Sequence, residues 1–469
     1  MNLETDNKIQ KKGITLVIPN PCGNIKETEM KNSGVEWIGE IPDDWEVSKT
    51  KYLTKLYTGN SIKDEEKDLY EDKADAIPYI SSKDINAIFS TTNYENGMYV
   101  KHSDNSFVRA PAGSTLMCIE GGSAGKKKTF LNQEVCFVNK LCCFSPIKID
   151  NKFLFYCLNS PNYEEEFRFN ISGMIGGVSV GKLNQFILPK PPKSTQQRIA
   201  TYLDKKCSKI EETIQNQQQV IEKLKAYKQS LITEAVTGKV KIVNGKACGE
   251  YESYKDSGVE YLGKIPLDWN IKRLRYIGKC QNGISKGGEF FGSGYPFVSY
   301  GDVYNNLILP ETVSGLIEST PEEQENYSVK AGDIFFTRTS ETIEEVGFTS
   351  VCLKTIKNAT FAGFVIRVRP FTDELIPDYS KYYFSSDAHR RFFVKEMNLV
   401  TRASLSQDLL KRLPVLIPSK EKQKEIADYL DKKCTAIDTV IEQKQKLIVK
   451  LTEYKKSLIY ECVTGKKEI

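Results

Sequence analysis

Apolar residues recur every three or four positions in two stretches of the chain. The first seam is Ile210, Ile214, Ile221, Leu224, Leu231 and Ala235, and the second is Ile437, Ile441, Ile448, Leu451, Leu458 and Cys462. Such spacing is typical of a coiled coil, and polar residues interrupt both seams at matching heights. Each stretch predicts a helix of about 40 residues, or roughly 60 Å at 1.5 Å per residue. Ser194, with Gln197 three residues on, predicts a capping box at the start of the first helix, and Ser419 with Glu421 is a weaker version in the second. Gly238 and Gly465 stand where a left-handed residue would end each helix.

Two such helices in one chain can pair with each other. A partner chain could also cover their flanks, which carry Tyr227 and Tyr454. The alternative is that both helices are ordinary core elements of a helical domain. The polar seam residues favour a protruding pair.

The stretches 48–190 and 272–417 have a different pattern. Short runs of aromatic and β-branched residues are broken by Gly, Asn, Asp and Pro, which predicts short strands. Helices are expected at 151–167 and at 377–396. Each stretch therefore predicts an α+β module.

The chain contains an internal repeat. Residues 31–47 and 255–271 are identical at 10 of 17 positions, and residues 199–238 and 426–465 at 23 of 40. Between these anchors the copies diverge, although PYISSKDI at 78–85 resembles PFVSYGDV at 296–303. The order is thus module, helix, module, helix. One scaffold carrying two dissimilar modules indicates two related but non-identical tasks.

Composition narrows the class of protein. The 469 residues carry a net charge of +5 with a pI near 8.4, which permits nucleic-acid binding without requiring it. No apolar run approaches the roughly 20 residues of a membrane span, and no signal peptide is expected. Twelve cysteines without a Cys-x-x-Cys pair, beside two histidines, predict buried thiols in a cytoplasmic protein and no metal site.

Basic residues occur in glycine-flanked and hydroxyl-rich loops. Lysine neutralises phosphate, and arginine can bind guanine through two hydrogen bonds, so such loops suit DNA contacts. The candidates are Lys126, Lys127, Lys128 and Arg402, followed by Arg338, Thr339, Lys83, Tyr300 and Lys286. The alternative for each loop is that its basic side chains are simply exposed to solvent and contact no DNA.

Four features together resemble the specificity subunit of type I restriction-modification systems. They are the openings SGVEWIGEIPDDW and SGVEYLGKIPLDW, the exits LPKPP at 188–192 and LPVLIP at 413–418, the twin IA-x-YLD starts, and the VTGK endings. The resemblance covers the chain from Lys31 onward. Residues 1–30 fall outside it as an N-terminal extension.

The resemblance implies an α+β fold with two target recognition domains, each reading half of a split, asymmetric DNA sequence. Two conserved helices would form an antiparallel coiled coil with a pseudo-twofold repeat. The expected recognition domains are 31–193 and 255–418, and the expected helical spacers are 194–240 and 419–469, with a linker at 241–254.

The resemblance also implies partners and a division of chemistry. Two methyltransferase subunits would dock on the two conserved helices, and restriction/translocase subunits would join the full complex. S-adenosylmethionine, ATP and Mg would be cofactors of those partners, with none bound by this chain. Adenine methylation and cleavage would belong to the partners, so that the chain itself is not an enzyme.

The residues agree with the absence of a catalytic centre. The chain lacks the Asn/Asp-Pro-Pro-aromatic turn of amino-methyltransferases, and Asn20-Pro21-Cys22 comes nearest. Phe361-Ala362-Gly363 could pass for part of an S-adenosylmethionine loop, but it leads into a strand-like run. No phosphate-binding G-x-x-x-x-G-K-S/T motif occurs. Two alternatives stay open, a coiled-coil scaffold without DNA readout and a single-chain restriction-methylation enzyme.

Overall fold

The protein divides into two compact units. The computed structural model describes residues 29–173, 176–340, 346–396 and 403–469. The first unit comprises the chain up to Thr213 together with Lys450–Ile469, and the second comprises Ile214–Val449. Each unit therefore holds one module, the start of one long helix and the end of the other.

The first module is built from short strands and helices. Its strands are β1 (Met30–Asn32), β2 (Glu40–Pro42), β3 (Glu46–Lys49), β4 (Thr54–Thr58), β5 (Ala76–Ile80), β6 (Ile85–Asn86), β7 (Thr91–Thr92), β8 (Tyr99–Lys101), β9 (Arg109–Ala110), β10 (Thr115–Cys118), β11 (Lys128–Phe130), β12 (Val135–Phe137), β13 (Leu141–Pro146) and β14 (Ile187–Lys190). Its helices are α1 (Thr50–Leu53), α2 (Asn151–Leu158), α3 (Pro161–Phe169) and α4 (Val180–Leu183), followed by α5 (Lys193–Val236).

The second module has the same kinds of elements. Its strands are β15 (Ile242–Val243), β16 (Lys246–Ala247), β17 (Tyr254–Asp256), β18 (Lys264–Pro266), β19 (Asn270–Arg273), β20 (Gly278–Asn282), β21 (Phe291–Val298), β22 (Leu316–Ile317), β23 (Ile334–Thr337), β24 (Thr339–Ser340), β25 (Thr349–Val351), β26 (Thr360–Phe361), β27 (Val365–Pro370), β28 (Ala403–Ser404) and β29 (Pro414–Ile417). Its helices are α6 (Tyr300–Asn305), α7 (Pro321–Asn326), α8 (Pro377–Ser385), α9 (Asp387–Glu396) and α10 (Gln407–Arg412), followed by α11 (Lys420–Val463).

The central sheets of the two modules are equivalent strand by strand. An antiparallel sheet has the order β11-β10-β13-β4 in the first module and β25-β23-β27-β20 in the second. A second sheet contains one parallel pair in each module, β5 with β12 and β21 with β26. The registers match as well, since Met117 pairs with Cys142 and Phe336 pairs with Ile366. The predicted α+β class and the internal repeat are confirmed.

The two predicted module helices each occur as a pair of shorter helices. In the first module a proline at the first position of α3, Pro161, ends the preceding helix, because its ring cannot follow an α-helical residue without a clash. In the second module the extended backbone of Ser386, with ψ at 157°, separates α8 from α9.

The long helices end as predicted but begin differently. Gly238 and Gly465 have φ angles of +71° and +73°, and a β-carbon on either would lie 2.4 Å from a proline ring, Pro266 or Pro42. Helix α5 begins at Lys193, so Ser194 lies inside its first turn instead of capping it. The equivalent end of α11 is capped, because Ser419 Oγ accepts a hydrogen bond from Lys422 N.

Helices α5 and α11 form the predicted antiparallel pair. In the second unit Ile221 packs with Ile437 and Ile441, while Lys228 forms an ion pair of 2.7 Å with Asp438. In the first unit Lys455 pairs with Glu211 at 2.5 Å. Partner numbers therefore fall along α11 as they rise along α5. The polar residues of the seam are thus paired across it and do not lie unpaired against apolar side chains.

The predicted seam residues differ in burial. Those buried are Ile210, Ile214, Ile221, Ala235, Ile437, Ile441, Leu458 and Cys462, and those half-buried are Leu224, Leu231, Ile448 and Leu451. Tyr227 and Tyr454, which flank the seams, are exposed.

The cysteines lie where small hydrophobic residues would. Ten of the eleven in the described part of the chain are buried, and Cys248 is exposed. None of the helices in the described ranges combines the length and the apolar character needed to span a bilayer.

We expect the second module to lose stability in mild acid because of His389. Burial among Phe336, Phe384 and Phe393, with a smaller contribution from Arg390, lowers the pKa of His389 to about 3. The imidazole is neutral when folded but protonates below about pH 6.5 when unfolded, so stability falls as the pH drops through 6.5. The free energy of unfolding should decrease by about 2 kcal/mol between pH 7 and pH 5 from this group.

Chemical denaturation at both pH values checks this expectation. The matched control is His389→Tyr, because the first module has Tyr163 at the equivalent position, four residues before a buried phenylalanine in α3. An identical pH dependence in that variant would contradict the assignment to His389.

Candidate nucleic-acid interface

A short capped turn follows the first strand of the parallel pair in each module. The carboxylate of Asp84 accepts hydrogen bonds from Ser81 N at 2.8 Å and Ser81 Oγ at 2.7 Å. Asp302 binds Ser299 in the same way, at the same two distances. The Ser-x-x-Asp pattern of both copies explains the shared geometry, since each is a capping box. The two residues between the serine and the aspartate of this motif differ between the modules.

A glycine anchors the hairpin loop that follows the central strand. Gly125 has a φ of +71°, and its α-carbon lies so close to Phe167 that a β-carbon would be 2.5 Å from the ring. In the second module Gly347, with φ at +72°, holds the same relation to Phe393 at 2.7 Å. Any larger residue would displace the loop from the helix.

A second loop is tied to this hairpin in both modules. Val178 N donates to Ile119 O at 3.0 Å, and Leu405 N donates to Arg338 O at 2.7 Å. Bridges join Glu120 to Gly177 in the first module and β24 to β28 in the second. Two loops and the capped turn therefore meet at one end of each central sheet.

The first module brings three of the predicted lysines together at this end. Lys83 and Lys127 line an open cleft of about 650 Å³ with Asn86, Thr92 and Asn93. Lys127 Nζ donates to Ser82 O at 2.6 Å, and Lys126 is exposed beside it. The cleft thus combines cations with amide and hydroxyl groups, which are the donors and acceptors used on phosphates and base edges.

Lys128 does not belong to this surface. Its side chain is 1% exposed and forms a 2.7 Å ion pair with Glu164 on α3. Burial lowers the pKa of Lys128, while Glu164 acts in the opposite direction. Lys127 lies just before β11 and lines the cleft, whereas Lys128 is the first residue of that strand and its side chain enters the module. The prediction that Lys128 contacts DNA is corrected accordingly.

The second module places Arg338, Thr339 and Tyr300 at the equivalent end. Arg338 and Thr339 are half-buried at the start of the hairpin loop. Tyr300 begins α6 and stacks on Tyr304, with ring centroids 5.8 Å apart. Arg402 lies outside the described residues.

Lys286 is largely occupied by contacts within the protein. Its Nζ donates to Glu318 O at 2.8 Å and to Glu323 Oε2 at 2.7 Å, and its side chain is mostly buried. Its charge is thus neutralised by an acidic helix, α7, which weakens the case for a phosphate contact.

Two residues that sequence reasoning missed complete the contrast between modules. Phe348 occupies the place of Lys127, because the carbonyl of each accepts a hydrogen bond from the last residue of the central strand. Its ring centroid lies 5.0 Å from that of Tyr304, and the residue at the position of Tyr304 in the first module is Asn86, just after the capped turn. One module is basic and polar where the other is aromatic. Only the strand register reveals this equivalence, because the loops differ in length.

The described residues contain no candidate metal site. No cluster of three or more His, Cys, Asp or Glu side chains is suited to hold a metal ion in this part of the chain. Phe361 is buried and pairs with Val298 in β26. The segment that resembled a cofactor loop is therefore part of the core of the second module.

Each module is fixed to its long helix by the same pair of polar contacts. Tyr156 Oη donates to Asp204 at 2.6 Å, and Tyr382 Oη donates to Asp431 at 2.7 Å. Buried glutamines lie close by, where Gln196 accepts from Asp150 N and Gln423 accepts from Ile376 N. The aspartates belong to the repeated YLD motif, which explains why that motif recurs.

Two segments of the chain, residues 42–225 and 266–450, match the family model for the type I restriction modification DNA specificity domain. The chain belongs to this family. Its two matches begin at equivalent positions of the repeat, just inside the opening motifs. The predicted resemblance to type I specificity subunits is thereby confirmed.

Curated members of the family align with nearly the whole chain. The EcoKI specificity subunit of Escherichia coli strain K12 is 22% identical over 91% of this chain and 90% of its own length. The EcoBI subunit of Escherichia coli is 21% identical over 94% and 90%. The MjaVIII subunit of Methanocaldococcus jannaschii is 24% identical over 91% and 93%.

The fold is also similar to that of a solved family structure. A chain from a study of complex assembly and conformational transition in the type I R-M system superposes with a TM-score of 0.67. The two chains are 13% identical, and the match covers 91% of this chain and 99% of the other. At this identity the likeness concerns the fold.

We expect Tyr156→Phe to loosen the first module from its helix while leaving the second unchanged. The variant removes the hydrogen bond to the Asp204 carboxylate but keeps the ring, at a cost of about 1–2 kcal/mol. Hydrogen exchange should show faster opening of α2 with little change in α8.

Tyr382→Phe is the matched variant and should produce the reverse pattern. Equal loss of protection in both modules from either variant would show that the tyrosines do not act on one module each.

Proposed function

We propose that this chain is the DNA-reading subunit of a type I restriction-modification complex and recognises a split, asymmetric target. The observation that carries the proposal is that the two modules share a backbone scaffold but carry different contact residues on it. The same capped turn, anchored loop and sheet end occur in both modules, yet Lys127 and Asn86 are replaced by Phe348 and Tyr304. Equivalent modules suit equivalent tasks, and different contact residues suit different half-sites.

In the first module, Lys83, Lys126 and Lys127 would neutralise phosphates along one half-site. The amide and hydroxyl groups of the cleft, including Asn86 and Thr92, would then reach base edges. Lysines on a turn and a hairpin suit a duplex because several phosphates can be contacted at once. Each such contact releases counterions and makes binding depend on salt.

In the second module, Arg338 and Thr339 would supply the polar base contacts, and Arg402 is a further candidate from the sequence. The aromatic group of Tyr300, Tyr304 and Phe348 would contact thymine methyl groups or sugars instead of phosphates. We therefore expect the second half-site to be recognised with a smaller electrostatic contribution than the first.

The two long helices would set the separation of the half-sites. We propose the domain limits 31–193 and 255–418 for recognition and 194–240 and 419–469 for the spacers. The segment 241–254, which we predicted as a linker, contains the hairpin β15–β16. Half-sites near one helical turn apart, about 10 bp, would let both modules meet the same face of the duplex.

The catalytic steps would be carried out by partner subunits. Two methyltransferase subunits would use S-adenosylmethionine to methylate an adenine flipped out of the duplex, and restriction/translocase subunits would use ATP and Mg. The exposed Tyr227 and Tyr454 lie at equivalent positions on α5 and α11 and are candidates for subunit contacts. The chain itself would bind none of these cofactors.

The direct test is a base-resolution map of adenine methylation in cells with the gene intact and with it deleted. We expect deletion to abolish methylation at one split, asymmetric motif, because target choice depends on this chain alone. Loss of a continuous motif would leave one module without a reading role. An unchanged map, with the partner genes expressed, would contradict the proposal and favour a scaffold without DNA readout.

We expect Lys127→Ala to lower the affinity for DNA of any sequence and Arg338→Ala to lower sequence specificity. Loss of a phosphate contact should weaken binding to all sequences alike and reduce the salt slope by about 1. Loss of a base contact should cost about 1–3 kcal/mol at one position of the second half-site and relax specificity there.

Binding of matched and singly substituted duplexes by the assembled complex, across a salt series, measures both effects. The buried Lys128→Met is the control for Lys127, since it alters charge without touching the proposed surface. Uniform weakening in both test variants would mean that Arg338 reads no base.

A further inference from the structure

A second exposed surface recurs in both modules, and its chemistry is the same in each. It begins where β3 and β19 end. The first module has Lys51, Tyr52 and Lys55, and the second has Arg275, Tyr276 and Lys279 at the equivalent positions. All six side chains are exposed, the two tyrosines by 60% and 63%. The contact residues at the recognition ends differ between the modules, whereas the residues of this segment agree in both type and exposure.

The cations of this surface have no acidic partner in the described part of the protein. No carboxylate there lies within 4 Å of Lys51, Lys55, Arg275 or Lys279, whereas the nearby Lys190 and Lys272 pair with Glu46 and Glu374. Lys51 and Arg275 instead lie over the neighbouring tyrosine rings, at 4.8 Å and 5.0 Å from the ring centroids. Their charge is thus available to an acidic ligand.

An exposed apolar residue lies beside the tyrosine in both modules. Ile147 N donates to Leu53 O at 2.8 Å, and Phe371 N donates to Ile277 O at 2.8 Å, so these residues sit next to the segments that carry Tyr52 and Tyr276. Ile147 and Phe371 are each 63% exposed. An apolar side chain gains from burial against protein but not from contact with phosphate.

The position of the surface separates it from the proposed DNA contacts. Thr54, just after Tyr52, pairs with Pro146 at one end of β4, while Thr58 at the other end pairs with Cys142, near the recognition loops. In the second module Gly278 pairs with Pro370 and Asn282 with Ile366 in the same way. Four residues of strand, about 13 Å, lie between the two ends.

We propose that these residues form two equivalent docking surfaces, each for one copy of the same protein. The surface of the first module is Lys51, Tyr52, Lys55 and Ile147, and that of the second is Arg275, Tyr276, Lys279 and Phe371. Modules that bind different ligands, such as two unlike DNA half-sites, need different contact residues. Modules that each bind one copy of the same protein need the same contact residues. The partner contributes an acidic surface with an apolar centre.

This inference rests on the proposed function, in which the protein present twice is the methyltransferase subunit. The test uses the complex of the full chain with that subunit, and native mass spectrometry counts the partners bound. Lys51→Glu with Tyr52→Ala should reduce two partners to one, and Arg275→Glu with Tyr276→Ala should do the same. The four substitutions together should leave none. We expect each altered site to bind at least about tenfold more weakly, because a charge and an aromatic side chain that the partner would cover are both lost.

Two variants serve as matched controls. Lys51→Arg introduces the residue that the second module already has and should keep two partners. Lys357→Glu reverses an exposed charge of the second unit that forms no ion pair with a described residue, and it should also keep two. A chain that failed to fold would lose both partners at once, so retention of one partner in each single-surface variant shows that the chain is intact.

Three results would overturn the inference. Two partners bound by every variant would remove the docking role while leaving the proposed function intact. Two partners together with a uniform loss of affinity for all duplexes would make the surface a phosphate contact. If the unaltered chain bound no methyltransferase subunit, both this inference and the proposed partnership would fail.

Discussion

The seam between α5 and α11 is the interaction on which the rest of the structure depends. Each helix contributes its first part to one unit and its last part to the other, so neither module has a complete helical support of its own. The seam combines apolar packing around Ile221, Ile437 and Ile441 with ion pairs such as Lys228–Asp438. Apolar contacts supply the burial, and the polar pairs restrict register, because a shifted helix would leave charges facing apolar side chains.

Each module is then attached to this support by contacts that recur in both copies. The glycines that end the helices lie against Pro42 and Pro266 in the opening motifs, and the YLD aspartates bind Tyr156 and Tyr382. Two attachments that recur in both copies thus join each module to the long helices. A module held in this way can change the residues at its sheet end without changing how it is supported.

The recognition end and the proposed docking surface illustrate two opposite patterns of divergence. At the recognition end the scaffold recurs while the contact residues change, from Lys127 to Phe348 and from Asn86 to Tyr304. At the other end of the same sheet the contact residues themselves recur. A duplicated chain can therefore be divided into surfaces by asking which exposed side chains the two copies share.

The sequence by itself determined the repeat, the α+β modules, the two long helices and their seam, since these depend on periodicity and on local identity between copies. It also brought forward Lys83 and Lys127, which line one cleft, and their exposed neighbour Lys126. Only the tertiary structure decided that Lys128 is buried against Glu164, that Lys286 is held by Glu323, and that α5 begins before Ser194. A loop's composition does not state which way each side chain points. That direction is set by strand register and by packing against residues far away in the chain.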